Sequence, residues 1–321
     1  MTTLVIGAGL VGSQIARELV GRGERPVLMD PAAQPAAIAE VVPLDRVVLT
    51  EGSVLRPLDI ARAVLGYGIT RLIHTAANPL LTLGAQKDPV SAIELNIMGT
   101  VNVLEAARVL GLHRVVVSSS NVLNHYVEGG GDKAADGLLR EEDYPRPTTF
   151  YAATKQAVES LGLNYHRHFG LEFAAMRYGA VCGPWSGRGG GGPSNVFRGL
   201  VEAAMAGGDV LVPAGGMEWV YSKDAARATV LAAEAADLET GVFNVTMGAL
   251  VMGNDLAKAL SAAFPAARVR TEQPKEDVAI SLIDMQARSD LTRSARVLGY
   301  HPQFDIRAAI EDMADWLRRR Q

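Results

Sequence analysis

A buried strand, a glycine turn and an amphipathic helix in immediate succession leave a chain few folds, and residues 3–23 read as that unit. Thr3-Leu4-Val5-Ile6 is a short apolar run that ends in Gly7-Ala8-Gly9-Leu10-Val11-Gly12. Beyond it Ile15, Ala16, Leu19 and Val20 recur at helical spacing until Gly21 and Gly23. Small residues in such a turn let the backbone bend tightly. They also let a pyrophosphate approach the helix N-terminus, where unpaired N–H groups and the helix dipole favour negative charge. Pro26-Val27-Leu28-Met29-Asp30 reads as a second buried strand, and Asp30 stands 18 residues beyond Gly12. An acid at that distance is placed to take both ribose hydroxyls of a dinucleotide. It would repel a 2′-phosphate, and no arginine follows it closely, so the pattern favours NAD over NADP.

Strand signals recur at residues 47–50, 72–75, 115–118, 173–177 and 242–245, with helical stretches at 89–110, 150–168 and 306–318. Strands alternating with helices imply an α/β fold with a parallel sheet covered on both faces. The pattern loosens after Tyr178. Gly187-Arg188-Gly189-Gly190-Gly191-Gly192 is either a mobile loop or a tight wrap around something, and Glu128-Gly129-Gly130-Gly131-Asp132 reads as a surface excursion. With 31 basic and 35 acidic side chains the net charge is −4, so there is no basic field to attract nucleic acid. No run approaches the ~18 uninterrupted apolar residues of a membrane span. No basic segment precedes the first apolar run as in a signal peptide. The single cysteine, Cys182, excludes an intramolecular disulfide and fits a reducing compartment. These features predict a soluble cytoplasmic protein.

Tyr151-Ala152-Ala153-Thr154-Lys155 sets a phenol and an ammonium four residues apart on one helix face. A free phenol ionises near pH ~10. A neighbouring ammonium and a positively charged nicotinamide ring both favour the phenolate. Tyr151 would then take the proton of a substrate hydroxyl while hydride leaves the same carbon. Val115-Val116-Val117-Ser118-Ser119-Ser120 is a strand ending in hydroxyls at the carboxyl edge, where open α/β sheets bind ligands. A serine there can hydrogen-bond the substrate oxygen.

Three further stretches complete a pattern: Leu72-Ile73-His74-Thr75-Ala76-Ala77, the run from Asn96-Ile97-Met98-Gly99-Thr100 to Ala107, and Tyr178-Gly179-Ala180-Val181-Cys182-Gly183-Pro184. With them the chain resembles, over essentially its whole length, the extended short-chain dehydrogenase/reductases, the NAD-dependent epimerase/dehydratase group. The resemblance implies a Rossmann-type doubly wound sheet in residues 1–178, rejoined by about 224–246, with a smaller substrate-binding lobe from 179–223 and 247–321. It implies Tyr151 as acid/base, Lys155 as the residue that binds the nicotinamide ribose and tunes the tyrosine, and Ser120 as the polarising hydroxyl. Gly7, Gly9, Leu10, Val11 and Gly12 would form the phosphate turn. Asp30 would hold the ribose, Ser53 would stand near the adenine where the family usually has an acid, and Ala76 and Asn96 would line the cleft. It also implies a homodimer formed by the helices at 89–110 and 150–168, with Ile93, Ile97 and Leu104 as candidate faces.

The departures bear on substrate. Val5-Ile6 stands where the family usually has Thr-Gly, although Gly7, Gly9 and Gly12 still satisfy the general dinucleotide pattern. Asn121-Val122 replaces the Asp-Glu pair of the sugar dehydratases, so no carboxyl pair is placed to expel water. Ala180, Met217 and Pro274 stand where members acting on UDP-sugars carry an asparagine and two arginines. Losing charge-assisted partners costs a diphosphate about several kcal/mol, and Arg188, Arg198 and Lys223 are the cations available to compensate. The leading expectation is an NAD-dependent dehydrogenase or reductase acting on a secondary alcohol of a small polyhydroxy or sugar-like substrate. The alternative is a nucleotide-sugar epimerase with tightly bound NAD. A non-catalytic NAD-binding protein has no need of Ser120, Tyr151 and Lys155 together. No metal site is expected, since His166 and His168 project about 200° apart on a helix. His74 is expected to pack beneath the cofactor, His125 lies close enough to the active strand to reach substrate, and Cys182 reads as a small buried side chain. Arg318-Arg319-Arg320 reads as a helix C-terminus rather than a binding patch.

Overall fold

The computed structural model describes residues 2–77, 88–126, 137–272 and 287–320, with the side chains of 125 and 126 left out. Its centre is a seven-stranded sheet in which every neighbouring pair is parallel. From edge to edge the order is Gly241–Val245, Glu172–Tyr178, Arg114–Ser120, Arg71–His74, Thr3–Ile6, Val27–Asp30 and Val48–Glu51. The chain builds outward from Thr3–Ile6 to one edge, then crosses back to place Arg71–His74 on the other side. That reversal opens a crevice at the carboxyl ends of these strands, the usual ligand site of open α/β sheets.

Alternation of side chains along each strand supplies both faces of the sheet. Val5, Leu28, Ile73, Val116 and Ala174 pack with Ile15 and Leu19 of the helix Leu10–Gly21 and with the alanine-rich helix Ser222–Glu234. Leu4, Ile6, Leu72, Val115, Val117 and Phe173 face the other way, onto the helices Pro57–Gly66, Gly99–Val109 and Phe150–Phe169. A third core lies around the small sheet of Leu250–Met252, Gly216–Tyr221 and Ala180–Cys182. There Phe197, Trp219, Tyr221, Leu260, Ile310 and Met313 meet.

Most predicted elements fall within a residue or two of their observed bounds, and the terminal helix is Ile306–Arg318, capped by Asp305 on the Ala308 N–H at 2.8 Å. The stretch read as one helix over 89–110 is helix Pro89–Ile93, a π turn Glu94–Met98 and helix Gly99–Val109. A π turn adds a residue within a helical course and commonly marks a functional position; this one carries the buried Asn96. Of the expected dimer face, Leu104 is instead fully buried against the sheet, because its position in the helix points inward. Ile93 is exposed and Ile97 half-buried. The proposed excursion at 128–132 lies outside the described residues.

The helix Phe150–Phe169 must approach the sheet closely, and Gly162 is what permits it: a Cβ there would stand 2.1 Å from the Phe173 ring. Gly199, exposed in the helix Gly192–Met205, has nothing among the described residues within 4 Å of its would-be Cβ. Gly162→Ala is therefore expected to destabilise the fold by about 1–3 kcal/mol through overpacking. Gly199→Ala should stabilise it by about 0.5–1 kcal/mol through helix propensity. Urea unfolding of the two variants checks both signs.

Candidate active site

The glycine turn lies at the mouth of the crevice. Gly7 has φ +99° and donates its N–H to Met29 O at 2.8 Å, and a Cβ on it would sit 2.7 Å from the Ala76 nitrogen. A Cβ on Gly12 would come within 1.8 Å of Gly7 O. The Thr75 hydroxyl locks the turn by donating to the carbonyls of Ile6 and Gly7, both at 3.1 Å. Gly9 differs: its backbone is extended with φ −83°, and its would-be Cβ meets nothing within 4 Å among the described residues. The protein's own packing requires glycine at 7 and 12, whereas at 9 only a group arriving from outside would. That pattern fits a pyrophosphate lying against the turn. Leu10 is buried and Val11 half-buried in the helix that opens there.

Asp30 ends its strand with both carboxylate oxygens fixed, Oδ2 accepting from the Ala8 N–H at 2.9 Å and Oδ1 from the Ala32 N–H at 2.8 Å. It is thus anchored to the turn itself. Ser53 donates its N–H to Asp59 at 3.1 Å, and its hydroxyl accepts from the Leu55 N–H at 3.2 Å. Ala76 donates its N–H to Ile6 O at 3.0 Å, beside Gly7. Asn96 reaches from the π turn to donate to the Thr154 hydroxyl at 3.0 Å, and that hydroxyl donates to Tyr151 O at 2.8 Å.

Tyr151 and Lys155 lie one turn apart on the helix Phe150–Phe169, both buried, facing the end of Arg114–Ser120. Burial holds the Tyr151 phenol well above its ordinary pKa, and its hydrogen bond with the Ser120 side chain pulls the other way. The Lys155 ammonium donates to Ser118 O at 2.8 Å and stands 5.6 Å from the centre of the Tyr151 ring. Burial pushes Lys155 down to about 8, against the favourable charge of Glu159. His74 is buried beside it and pushed down to about 3, by burial first and Lys155 second. The imidazole is therefore neutral, and its Nδ1 has no partner among the described residues. The structure thus sets Tyr151 and Lys155 at the end of the strand that carries Ser120. The group can hold an oxygen between two hydroxyls and move its proton.

Four supporting residues escape sequence reasoning: Thr154, Glu159, Arg177 and Glu218. Glu159 forms a fork with Arg177 at 2.9 and 2.8 Å, both buried. Arg177 also donates to Asn124 Oδ1 at 3.2 Å, and Asn124 donates to the Ser289 hydroxyl at 2.9 Å. Ser289 in turn gives its N–H and hydroxyl to the Glu218 carboxyl at 2.9 and 2.6 Å. Thr246 at 3.2 Å and Asn121 at 3.4 Å also donate to Glu218, a fully buried group whose pKa burial raises. Glu159 had a local signal, standing four residues beyond Lys155 on the same helix face. Arg177 and Glu218 come from distant strands and had none.

Ala180 and Met217 are half-buried on paired strands of the small sheet. Two of the cations considered as substitutes are engaged elsewhere: Lys223 pairs with Asp312, and Arg198 donates to Trp185 O at 3.0 Å. Arg188 is exposed. Pro274 and the His125 side chain lie outside the described residues. His166 and His168 are exposed, and no cluster of metal-ligating residues occurs among the described residues. Cys182 is buried, its thiol pushed up by desolvation. At the C-terminus Arg318 pairs with Asp315, and Arg320 with Glu40.

A sequence model of the NAD dependent epimerase/dehydratase family matches residues 3–246, which includes every element of this crevice up to the edge strand. The chain belongs to that family. Relatives include UDP-glucuronate 4-epimerase 4 of Arabidopsis thaliana, 24% identical over 98% of this chain and 75% of that protein. Among solved structures, UDP-glucose 4-epimerase of Thermus thermophilus in complex with NAD is 26% identical with a TM-score of 0.79, over 98% of this chain and 99% of the other. MoeE5 in complex with UDP-glucuronic acid and NAD is 26% identical with a TM-score of 0.80, covering all of both chains. NAD is the cofactor of this epimerase/dehydratase family, and the cradle at Gly9 and the anchored Asp30 fit it.

Because no described residue occupies the space beside Gly9 and its φ suits any L-residue, Gly9→Val should leave the unliganded fold intact. It is expected to weaken NAD binding by at least about tenfold, or about 1.4 kcal/mol. Calorimetric titration with NAD, alongside thermal unfolding of the free protein, separates the two effects.

Proposed function

We propose that this family member is an NAD-dependent dehydrogenase or reductase that interconverts a secondary alcohol and its ketone on a small polyhydroxy or sugar-like substrate. The observation that carries the reading is the placement of buried Tyr151 and Lys155 one turn apart on a helix that faces the end of the strand carrying Ser120, with the Lys155 ammonium 5.6 Å from the Tyr151 ring centre and bonded to Ser118 O at 2.8 Å, and the glycine turn alongside. When bound, NAD supplies the hydride acceptor. Ser120 and Tyr151 hold the substrate oxygen between their hydroxyls. Tyr151 takes the hydroxyl proton on oxidation and returns it on reduction. Burial opposes the phenolate, so its formation depends on positive charge nearby: Lys155 provides one such charge and the oxidised nicotinamide ring another. Asn96 and Thr154 fix the first turn of the helix that carries Tyr151. Gly7, Gly9, Leu10, Val11 and Gly12 serve the pyrophosphate, Asp30 the ribose, and Ser53 and Ala76 the walls of the cofactor cleft. Residues 1–178 and about 224–246 serve as the nucleotide-binding unit, with 179–223 and 247–321 as the substrate lobe.

The substrate class rests on Ala180 and Met217, which offer no charge to a diphosphate, and on the prior engagement of Lys223 and Arg198. A second reading, a UDP-sugar 4-epimerase, is favoured by the names of the relatives. The two part at the ketone. A dehydrogenase releases it and accumulates NADH, whereas an epimerase reduces it again and accumulates none. The proposed setting is cytoplasmic. Exposed Val90, Ile93, Met98, Val109, Leu163 and Phe169 on the helices at 89–109 and 150–169 support a homodimer through those helices. Light scattering should then return about twice 34.0 kDa.

Tyr151→Phe should lower turnover by about 10²–10⁴ while NAD affinity stays near wild type; steady-state kinetics and calorimetry check this. The fixed Asp30 carboxylate should favour NAD over NADP by at least about tenfold, measured as the two dissociation constants. NAD is expected to raise the melting temperature, while UDP and UDP-glucose at about 1 mM leave it unchanged. A clear shift with UDP would promote the epimerase reading.

A further inference from the structure

The glycine run at 187–192 stands out in the sequence, and the proposed chemistry makes no use of it. In the structure it is a wrap. Gly189 and Gly191 have φ of +81° and +83°, backbone that favours glycine, and they turn the chain back over itself. The Trp185 indole N–H donates to Arg188 O at 3.2 Å. From the far side of the sequence the Gln34 side chain completes the hold, donating to Arg188 O at 3.3 Å and accepting the Arg188 N–H at 2.8 Å. A Cβ at Gly187 would stand 2.5 Å from the Trp185 ring and 3.0 Å from the Ala37 Cβ, so glycine lets the loop lie flat against both.

The anchor point matters. Gln34 lies four residues beyond Asp30, whose carboxylate is fixed to the phosphate turn. Trp185 is 2% exposed and belongs to the same core as Ala8, Leu10 and Ala37. The loop is thus bonded to Gln34 in the segment that leaves the ribose position and lies close to Ala37 of that same segment. We propose that residues 185–191 are a strap over the adenosine-ribose side of the cofactor cleft, and that NAD leaves only when the Gln34–Arg188 pair opens. The inference rests on NAD as cofactor and on no particular substrate. Because the strap holds Arg188 by its backbone, the guanidinium is not part of the device.

The test is the dissociation rate of NADH from the full-length protein, followed by its fluorescence after displacement with excess NAD, together with thermal unfolding of the free protein. Gln34→Ala removes both side-chain bonds and should speed release about tenfold; because the same pair closes the strap in the free protein, association should speed as well, with the unliganded melting temperature little changed. Gly189→Ala, which strains the strap without touching Gln34, should also speed release. Arg188→Ala keeps the backbone pair and should release NADH at the wild-type rate. Wild-type release from Gln34→Ala, or an acceleration in Arg188→Ala as large as in Gln34→Ala, would overturn the proposal. So would a fall in the melting temperature of free Gln34→Ala without faster release.

Discussion

A buried ammonium is expensive to keep charged, and the crevice of this protein is organised around one. Lys155 is 3% exposed, and desolvation pushes its pKa down. What opposes that is near at hand: the Ser118 carbonyl at 2.8 Å and the Glu159 carboxylate one turn along the helix. Glu159 is itself a buried charge and needs a partner, which Arg177 supplies in a two-pronged contact. A buried pair of this kind contributes little net stability, yet removing one member typically costs about 3–5 kcal/mol because the other is stranded. Charge, once placed in the cleft, dictates its neighbours.

The consequences run outward in both directions. Toward the proposed substrate, Lys155 keeps a positive charge beneath a phenol that burial holds protonated, and adds to the burial that keeps His74 neutral. Away from it, Arg177 passes the hydrogen bonding through Asn124 and Ser289 to Glu218 on the small sheet. Asn124 and Asn121 belong to the turn Asn121–Tyr126 immediately after Ser120, so the strand end bearing that serine is gripped from the far side as well. The central sheet and the small sheet are thus linked by a continuous set of buried, directional bonds as well as by apolar packing. Such networks fix geometry because each member left unpaired is penalised.

Local pattern made the central sheet and the principal groups of the site legible. The turn at Gly7 to Gly12, Asp30 at its strand end and the spacing of Tyr151 and Lys155 each express a short-range rule, and the structure places all of them at one crevice. What escaped was set by contacts between distant segments. Periodicity could not separate Leu104, which the helix turns into the core, from Ile93, which it leaves exposed. The π turn at Glu94–Met98 changes the register in the middle of an unbroken apolar pattern and leaves no mark in composition. Gln34 and Arg188 meet across 154 residues through a backbone group that every amino acid possesses. The small sheets beyond Tyr178 were least legible, since they draw on short strands far apart in sequence.

The account turns on the ionisation of Tyr151: a phenol in the free protein, and a base once positive charge gathers around it. Ultraviolet difference spectroscopy at neutral pH reads this directly, as the phenolate band that NAD addition produces in wild-type protein and in Tyr151→Phe. The account predicts a band of one tyrosinate per chain in the wild type, lost in Tyr151→Phe. Saturation with NAD that leaves no such band, or an equal band in the variant, would contradict it.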